Sequence, residues 1–210
     1  MNKKLLSLKK VIFCLLLVLP ISATLASQQP LLMVMGDSLS AAYNLPADRG
    51  WVSLLEQRLQ QQGYAWRVVN ASVSGETTGG GLTRLPELLR QHQPQIVLLE
   101  LGANDGLRGQ PPQRITVNLN QMIQLSQQAG AEVLLLGILL PPNYGPRYLQ
   151  QFEQIYPQLA KQHQLPLVPF LLEGVADNPA LMQQDGLHPT AEAQSRILET
   201  VWVELKPLLN

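Results

Sequence analysis

Residues 31–40, Leu31-Leu32-Met33-Val34-Met35-Gly36-Asp37-Ser38-Leu39-Ser40, pass from five apolar side chains straight into a glycine, a carboxylate and a hydroxyl. A strand wetted on one face alternates apolar with polar residues, whereas one that is apolar throughout is covered on both. Glycine and aspartate then stop the run and favour a turn. The reading is a central strand with a serine just beyond its end. Four similar runs follow at 66–69, 96–101, 133–140 and 167–170, each bounded by turn-forming residues. Between them the apolar residues fall at helical spacing: Trp51/Leu54/Leu55/Leu59, Leu82/Leu85/Leu88/Leu89, Ile115/Leu119/Met122/Ile123 and Phe152/Ile155/Tyr156/Leu159. This alternation predicts an α/β fold, a three-layer α/β/α sandwich around a parallel sheet. A last helix is expected from near Thr190, with Ala193, Ile197, Val201 and Leu205 on one face. Pro157 is expected to kink its helix or to begin a new one. The frequent glutamines interleave with the apolar positions and read as solvated helix faces.

The first residues carry Lys3, Lys4, Lys9 and Lys10 ahead of an apolar run at 11–19, and Thr24-Leu25-Ala26 offers a small-x-small cleavage site. The pattern predicts a cleavable signal peptide over residues 1–26 and a single domain over 27–210, destined for the periplasm or secretion. Pro20 interrupts the run short of membrane-spanning length, so no stable membrane anchor is expected. Cys14, the sole cysteine, lies within the signal, which leaves the domain without disulfides. Removing four basic residues with the signal leaves eleven basic against fifteen acidic, a net charge of −4. No nucleic acid partner is expected of such a surface.

In an open parallel sheet the loops beyond the carboxyl ends of the strands face the ligand crevice. Here those loops hold Gly36-Asp37-Ser38-Leu39-Ser40, then Asn70 to Thr77, then Gly102-Ala103-Asn104-Asp105-Gly106; Asp185-Gly186-Leu187-His188-Pro189 stands before the last helix. A serine hydroxyl becomes a useful nucleophile when a base takes its proton, and imidazole titrates near neutrality. His188 is the candidate base. Asp185, three residues earlier, is placed to accept from Nδ1 and turn the other ring nitrogen toward Ser38. An oxyanion needs donors, for which the Ser38 and Gly75 amides and the Asn104 side chain are candidates. Asp37 is read as tying its own turn, and His92 and His163 as residues of helix ends or surface. The Gly79-Gly80-Gly81 run lacks the Lys-Ser/Thr of a phosphate-binding loop, and no Gly-x-Gly-x-x-Gly follows a strand. No cysteine cluster or His-x-x-x-His pair offers metal ligands. No metal or other cofactor is expected. Gly-x-Ser-x-Gly is also missing, which argues against the fold built on a strained nucleophile elbow.

With these blocks assembled, the sequence resembles the SGNH (GDSL-type) hydrolases, whose Ser, Gly, Asn and His match Ser38, Gly75, Asn104 and His188. It looks closest to the bacterial periplasmic members with thioesterase, lysophospholipase and arylesterase activity. The likeness runs through Gly36 to Ser40, Val69-Asn70-Ala71-Ser72, Leu101-Gly102-Ala103-Asn104-Asp105-Gly106-Leu107-Arg108-Gly109 and Asp185 to Pro189. Ala103 stands where that family usually has Gly, and Glu76 where a close relative would show Asp. The resemblance implies a flavodoxin-like, five-stranded sheet of order 2-1-3-4-5. It also implies an acyl groove bordered by the segment at 139–146, with Leu140 and Tyr144 in contact with substrate. The implied substrates are acyl esters, thioesters and lysophospholipids, and a monomer is expected. Two other readings fit the same residues: a carbohydrate or peptidoglycan deacetylase, and a secreted binding module that performs no chemistry.

Overall fold

The structure, a computed structural model, describes residues 29–209; the predicted signal peptide at 1–26 and the domain start at 27 lie outside the described residues. The elements run β1 (Leu31–Gly36), α1 (Trp51–Gln61), β2 (Arg67–Asn70), α2 (Thr78–His92), β3 (Ile96–Glu100), α3 (Ala103–Leu107), α4 (Pro112–Gln128), β4 (Glu132–Leu136), α5 (Pro146–Glu153), α6 (Ile155–His163), β5 (Leu167–Val168) and α7 (Gln194–Leu205). The five strands are parallel, in the order β2-β1-β3-β4-β5. Every residue of β1 and β3 is buried, which explains why both read as apolar runs, broken only by Glu100 at the end of β3. β2, at the sheet edge, is half-buried.

Parallel neighbours need crossovers, and these are right-handed. From β1 the chain moves outward to β2, then returns past β1 to β3 and continues to β4 and β5. The reversal puts α1 on one face and α2, α4 and α6 on the other. Accordingly α1 packs with α7, which covers β4 and β5, while α4 packs with α2 and α6 across the opposite face. The loops after β1 and β3 diverge to opposite faces at this reversal and leave a crevice between them.

Three local outcomes refine the sequence reading. The apolar run at 133–140 ceases to be strand after Leu136; the Gly137 amide makes one more bond, to the Val168 carbonyl at 2.7 Å, and the chain then leaves the sheet. Pro157 falls in the first turn of α6, where its missing N–H costs no helical hydrogen bond, and the break from α5 lies at Gln154. α7 begins at Gln194, after a turn in which the Ala193 amide donates to the Thr190 carbonyl. The Gln194 side chain, almost fully buried, accepts from the Trp51 amide at 2.9 Å and so caps α1. The triple glycine opens α2, whose Thr77 cap accepts from the Gly80 amide, and a Cβ at Gly81 would run into Leu101 of the loop after β3.

Candidate active site

Beyond β1 the chain winds into a single turn, with the Ala41 amide donating to the Asp37 carbonyl at 2.9 Å. Asp37 ties this turn as expected: its Oδ1 accepts from the Leu39 amide at 3.0 Å. Its Oδ2 accepts from Asn104 Nδ2 at 3.0 Å, joining the loops that follow β1 and β3. Asp37 is fully buried, and burial outweighs these hydrogen bonds and pushes its carboxyl up to about 6.

The loop before α7 delivers an imidazole to the serine. His188 Nε2 lies 2.9 Å from Ser38 Oγ, and Nδ1 lies 2.6 Å from Asp185 Oδ2. Asp185 Oδ1 accepts from the backbone amides of Leu187 (2.9 Å) and His188 (3.0 Å), so one carboxylate shapes the loop and faces the ring. Partial desolvation opposes ionisation of Asp185, but the His188 amide, the His188 ring and the Leu187 amide together hold its carboxyl down at about 2. A bridge between Met182 and Pro189 closes the loop's base, and Gln183 Nε2 donates to the carbonyls of Tyr43 and Pro189. The Tyr43 ring lies against the imidazole, with centroids 4.4 Å apart.

Of the proposed oxyanion donors, Asn104 lines the same cavity as Ser38 and His188. One of its amide hydrogens serves Asp37, and the other is available. Gly75 lies in the loop between β2 and α2 with its carbonyl held by Arg108 at 3.2 Å; it is not among the residues lining that cavity. The cavity, about 180 Å³, is walled chiefly by Leu107, Ile138, Leu139, Leu140, Phe170 and Leu172. Leu139, Leu140 and Phe170 are shared with a larger groove of about 540 Å³ that runs on past Pro142 and Met182. The two predicted substrate contacts therefore part company. Leu140 lines the cavity; Tyr144 does not, and its hydroxyl instead donates to the Leu107 carbonyl at 2.9 Å, latching the loop after β4 onto α3.

Sequence reasoning passed over two residues at this site. Tyr43 has no periodic partner in the sequence and comes to His188 through a turn in which Ala42 and Asn44 both adopt positive φ. Glu100 was passed over inside the apolar run at 96–101; it ends β3, fully buried beneath the Ser38 turn. The signal available was an acid directly continuing a run of core residues. His163 meets Asn120 at the end of α6 as an ordinary helix-end contact. Among the described residues there is no cluster of three metal-ligating side chains.

Fold and site together define a doubly wound α/β protein with hydroxyl, imidazole and carboxylate in series at its switch point. The chain belongs to the GDSL-like lipase/acylhydrolase family, whose model matches residues 34–196. It is 54% identical over 196 residues to the esterase TesA of Pseudomonas aeruginosa, covering 93% of this chain and 96% of that one. To thioesterase 1/protease 1/lysophospholipase L1 of Escherichia coli K12 it is 49% identical over 179 residues, 85% of each chain. Among solved structures, the psychrotrophic esterase EstA from Pseudoalteromonas sp., inhibited by monoethylphosphonate, superposes with a TM-score of 0.82 at 42% identity, covering 86% of this chain and 98% of that one. The chain is therefore an enzyme of the acylhydrolase class, and the reading as a non-catalytic binding module falls away. The strand order agrees with the one the resemblance implied.

Proposed function

We propose that this enzyme hydrolyses acyl esters and thioesters, lysophospholipids among them, with Ser38 as nucleophile, His188 as general base and acid, and Asp185 orienting the imidazole. The observation that carries the reading is the series Asp185 Oδ2 to His188 Nδ1 at 2.6 Å and His188 Nε2 to Ser38 Oγ at 2.9 Å, at the mouth of an apolar cavity. Ser38 Oγ attacks the acyl carbon as its proton passes to His188 Nε2. The Ser38 and Gly75 amides and the free N–H of Asn104 receive the oxyanion. The bond to the alcohol or thiol then breaks, with His188 returning the proton to the leaving atom. Water, deprotonated by His188, attacks the acyl-serine, and His188 returns that proton to Ser38 Oγ as the fatty acid leaves. No metal or other cofactor enters these steps.

The acyl chain occupies the cavity against Leu140 and its neighbours, and the leaving group faces solvent. Residues 1–26 serve as a cleaved signal peptide, supported by the lysines and apolar run that open the chain, and the domain from 27 works as a monomer in the periplasm or outside the cell. Among the described residues no helix is long and apolar enough to cross a membrane. The acidic balance gives nucleic acid no hold. Ser38→Ala is expected to abolish turnover of an aryl ester and a thioester and to block labelling by a fluorophosphonate, while the thermal melt is unchanged. Turnover at the original rate would sink the assignment.

A further inference from the structure

Beneath the nucleophile turn lies an acid that the reaction just described does not use. Glu100 ends β3 and is fully buried. Its Oε2 accepts from the Asp37 amide at 3.1 Å and from the Ser40 hydroxyl at 2.8 Å, gripping the turn on both sides of Ser38 and Leu39. Oε1 has no hydrogen-bond partner. Space for the group comes from Gly36, its neighbour across the β1–β3 register, where a Cβ would stand 2.6 Å from Glu100 Oε2 and 2.9 Å from Ser40 Oγ. The gripped turn reaches two other loops: the Ser40 carbonyl accepts from Asn70 Nδ2 at 2.8 Å, and Asp37 accepts from Asn104 at 3.0 Å.

The surroundings favour the uncharged acid. A carboxylate taken out of water needs a cation or donors around both oxygens. Glu100 has two donors on one oxygen and none on the other. The titratable groups clustered here are Asp37 on the turn, Asp105 on α3 and Tyr156 on α6, none of them cationic; His188 acts on Asp37. Burial first, and the neighbouring Asp37 second, push the Glu100 carboxyl well above the usual carboxylate range.

We propose that Glu100 is a positioning residue for acyl transfer, a neutral carboxylic acid whose carbonyl oxygen sets the Asp37–Ser40 turn and, through Asp37, the Asn104 amide. The proposal rests on the role given to Ser38 above. It concerns rate and not affinity, because Glu100 does not line the cavity.

Glutamine reproduces the neutral acid, with a carbonyl facing the two donors and an amide where the hydroxyl stood. Glu100→Gln is expected to keep kcat within about threefold and to leave the acid limb of the pH profile in place, whereas Glu100→Leu, which removes the acceptor, lowers kcat about 10- to 100-fold with KM within about threefold. Wild-type kcat in Glu100→Leu overturns the positioning role. Impairment of Glu100→Gln to the level of the leucine variant, or a displaced acid limb, overturns the neutral state. If Glu100→Leu gives no cooperative melt, Ser40→Ala removes one donor and leaves the acid; it is expected to lower kcat at unchanged KM, and wild-type kcat there overturns the proposal. Ser38→Ala run alongside separates the two levels: activity in that variant overturns the reading of the site and with it this proposal, whereas an inactive Ser38→Ala beside wild-type kcat in Glu100→Leu overturns the Glu100 role alone.

Discussion

Asp37 serves two masters at the same carboxyl, its own turn through Oδ1 and Asn104 through Oδ2. Asparagine at 37 preserves the first bond and presents N–H2 to the N–H2 of Asn104. The amide at 104 must then turn over and point its oxygen differently. Asp37→Asn is expected to lower kcat roughly 100- to 1,000-fold, the cost of one displaced oxyanion donor, with a smaller change in KM. It also changes the pH dependence of stability. Asp37 is raised from 3.8 to about 6, so in that window the folded chain holds a proton that the unfolded chain has released. Its stabilising contribution is complete below about pH 4 and is lost as pH rises through about 6. In urea melts across that range, Asp37→Asn should flatten this decline; an unchanged slope would show that Asp37 does not titrate there. Asp185 has the opposite sign: held at about 2, it stabilises above its ordinary range and loses that contribution as pH falls through about 2.

At the scale of elements, the junction between β4 and β5 ties core to cavity. The Gly137 amide donates to the Val168 carbonyl, the Leu171 amide donates to the Gly137 carbonyl, and a Cβ at 137 would overlap the Pro169 carbonyl, which is backbone and cannot swing aside. Gly137→Ala is expected to cost about 1–3 kcal/mol in a denaturant melt and, by moving Ile138 to Leu140 against Phe170 and Leu172, to raise KM for a long-chain ester more than for an acetyl ester. Equal KM changes would separate this junction from the acyl site. The same segment shows where the sequence is opaque. The core strands β1 and β3 were readable because burial on both faces leaves apolar side chains at every position of β3 but the last, Glu100, and in β1 up to the closing Gly36. Residues 138–140 are as apolar as the strand before them but wall a cavity, and hydropathy does not distinguish a core from a cavity wall. Tyr144 shows another limit: the sequence offers a ring beside the groove, but not the bond that commits its hydroxyl to the Leu107 carbonyl. Ser38, Asp185 and His188 were legible because each stands in a polar break beside a recognisable element, whereas Tyr43 and Glu100 depend on tertiary neighbours that no local pattern reports.

For the molecule as a whole, the order β2-β1-β3-β4-β5 is what brings the Ser38 and Asn104 loops together. Periodicity revealed the strands, but their order came only with the resemblance, since pairing is a long-range property. If the acyl chain lies where we propose, the cavity and the adjoining groove make its length the main variable open to selection. With about 0.8 kcal/mol per buried methylene, kcat/KM for a series of straight-chain aryl esters is expected to rise about fourfold per carbon until the cavity is filled, then level off. A maximum at acetyl would favour the deacetylase reading instead. The hydroxyl and imidazole that meet at 2.9 Å are 150 positions apart in the chain, and the base sits just ahead of the last helix. A polypeptide still being synthesised, or not yet folded, carries an inert alcohol at Ser38. On the roles proposed for these two groups, hydrolytic power arises only when distant parts of the chain have closed on one another, so the unfolded polypeptide is silent toward any ester it meets.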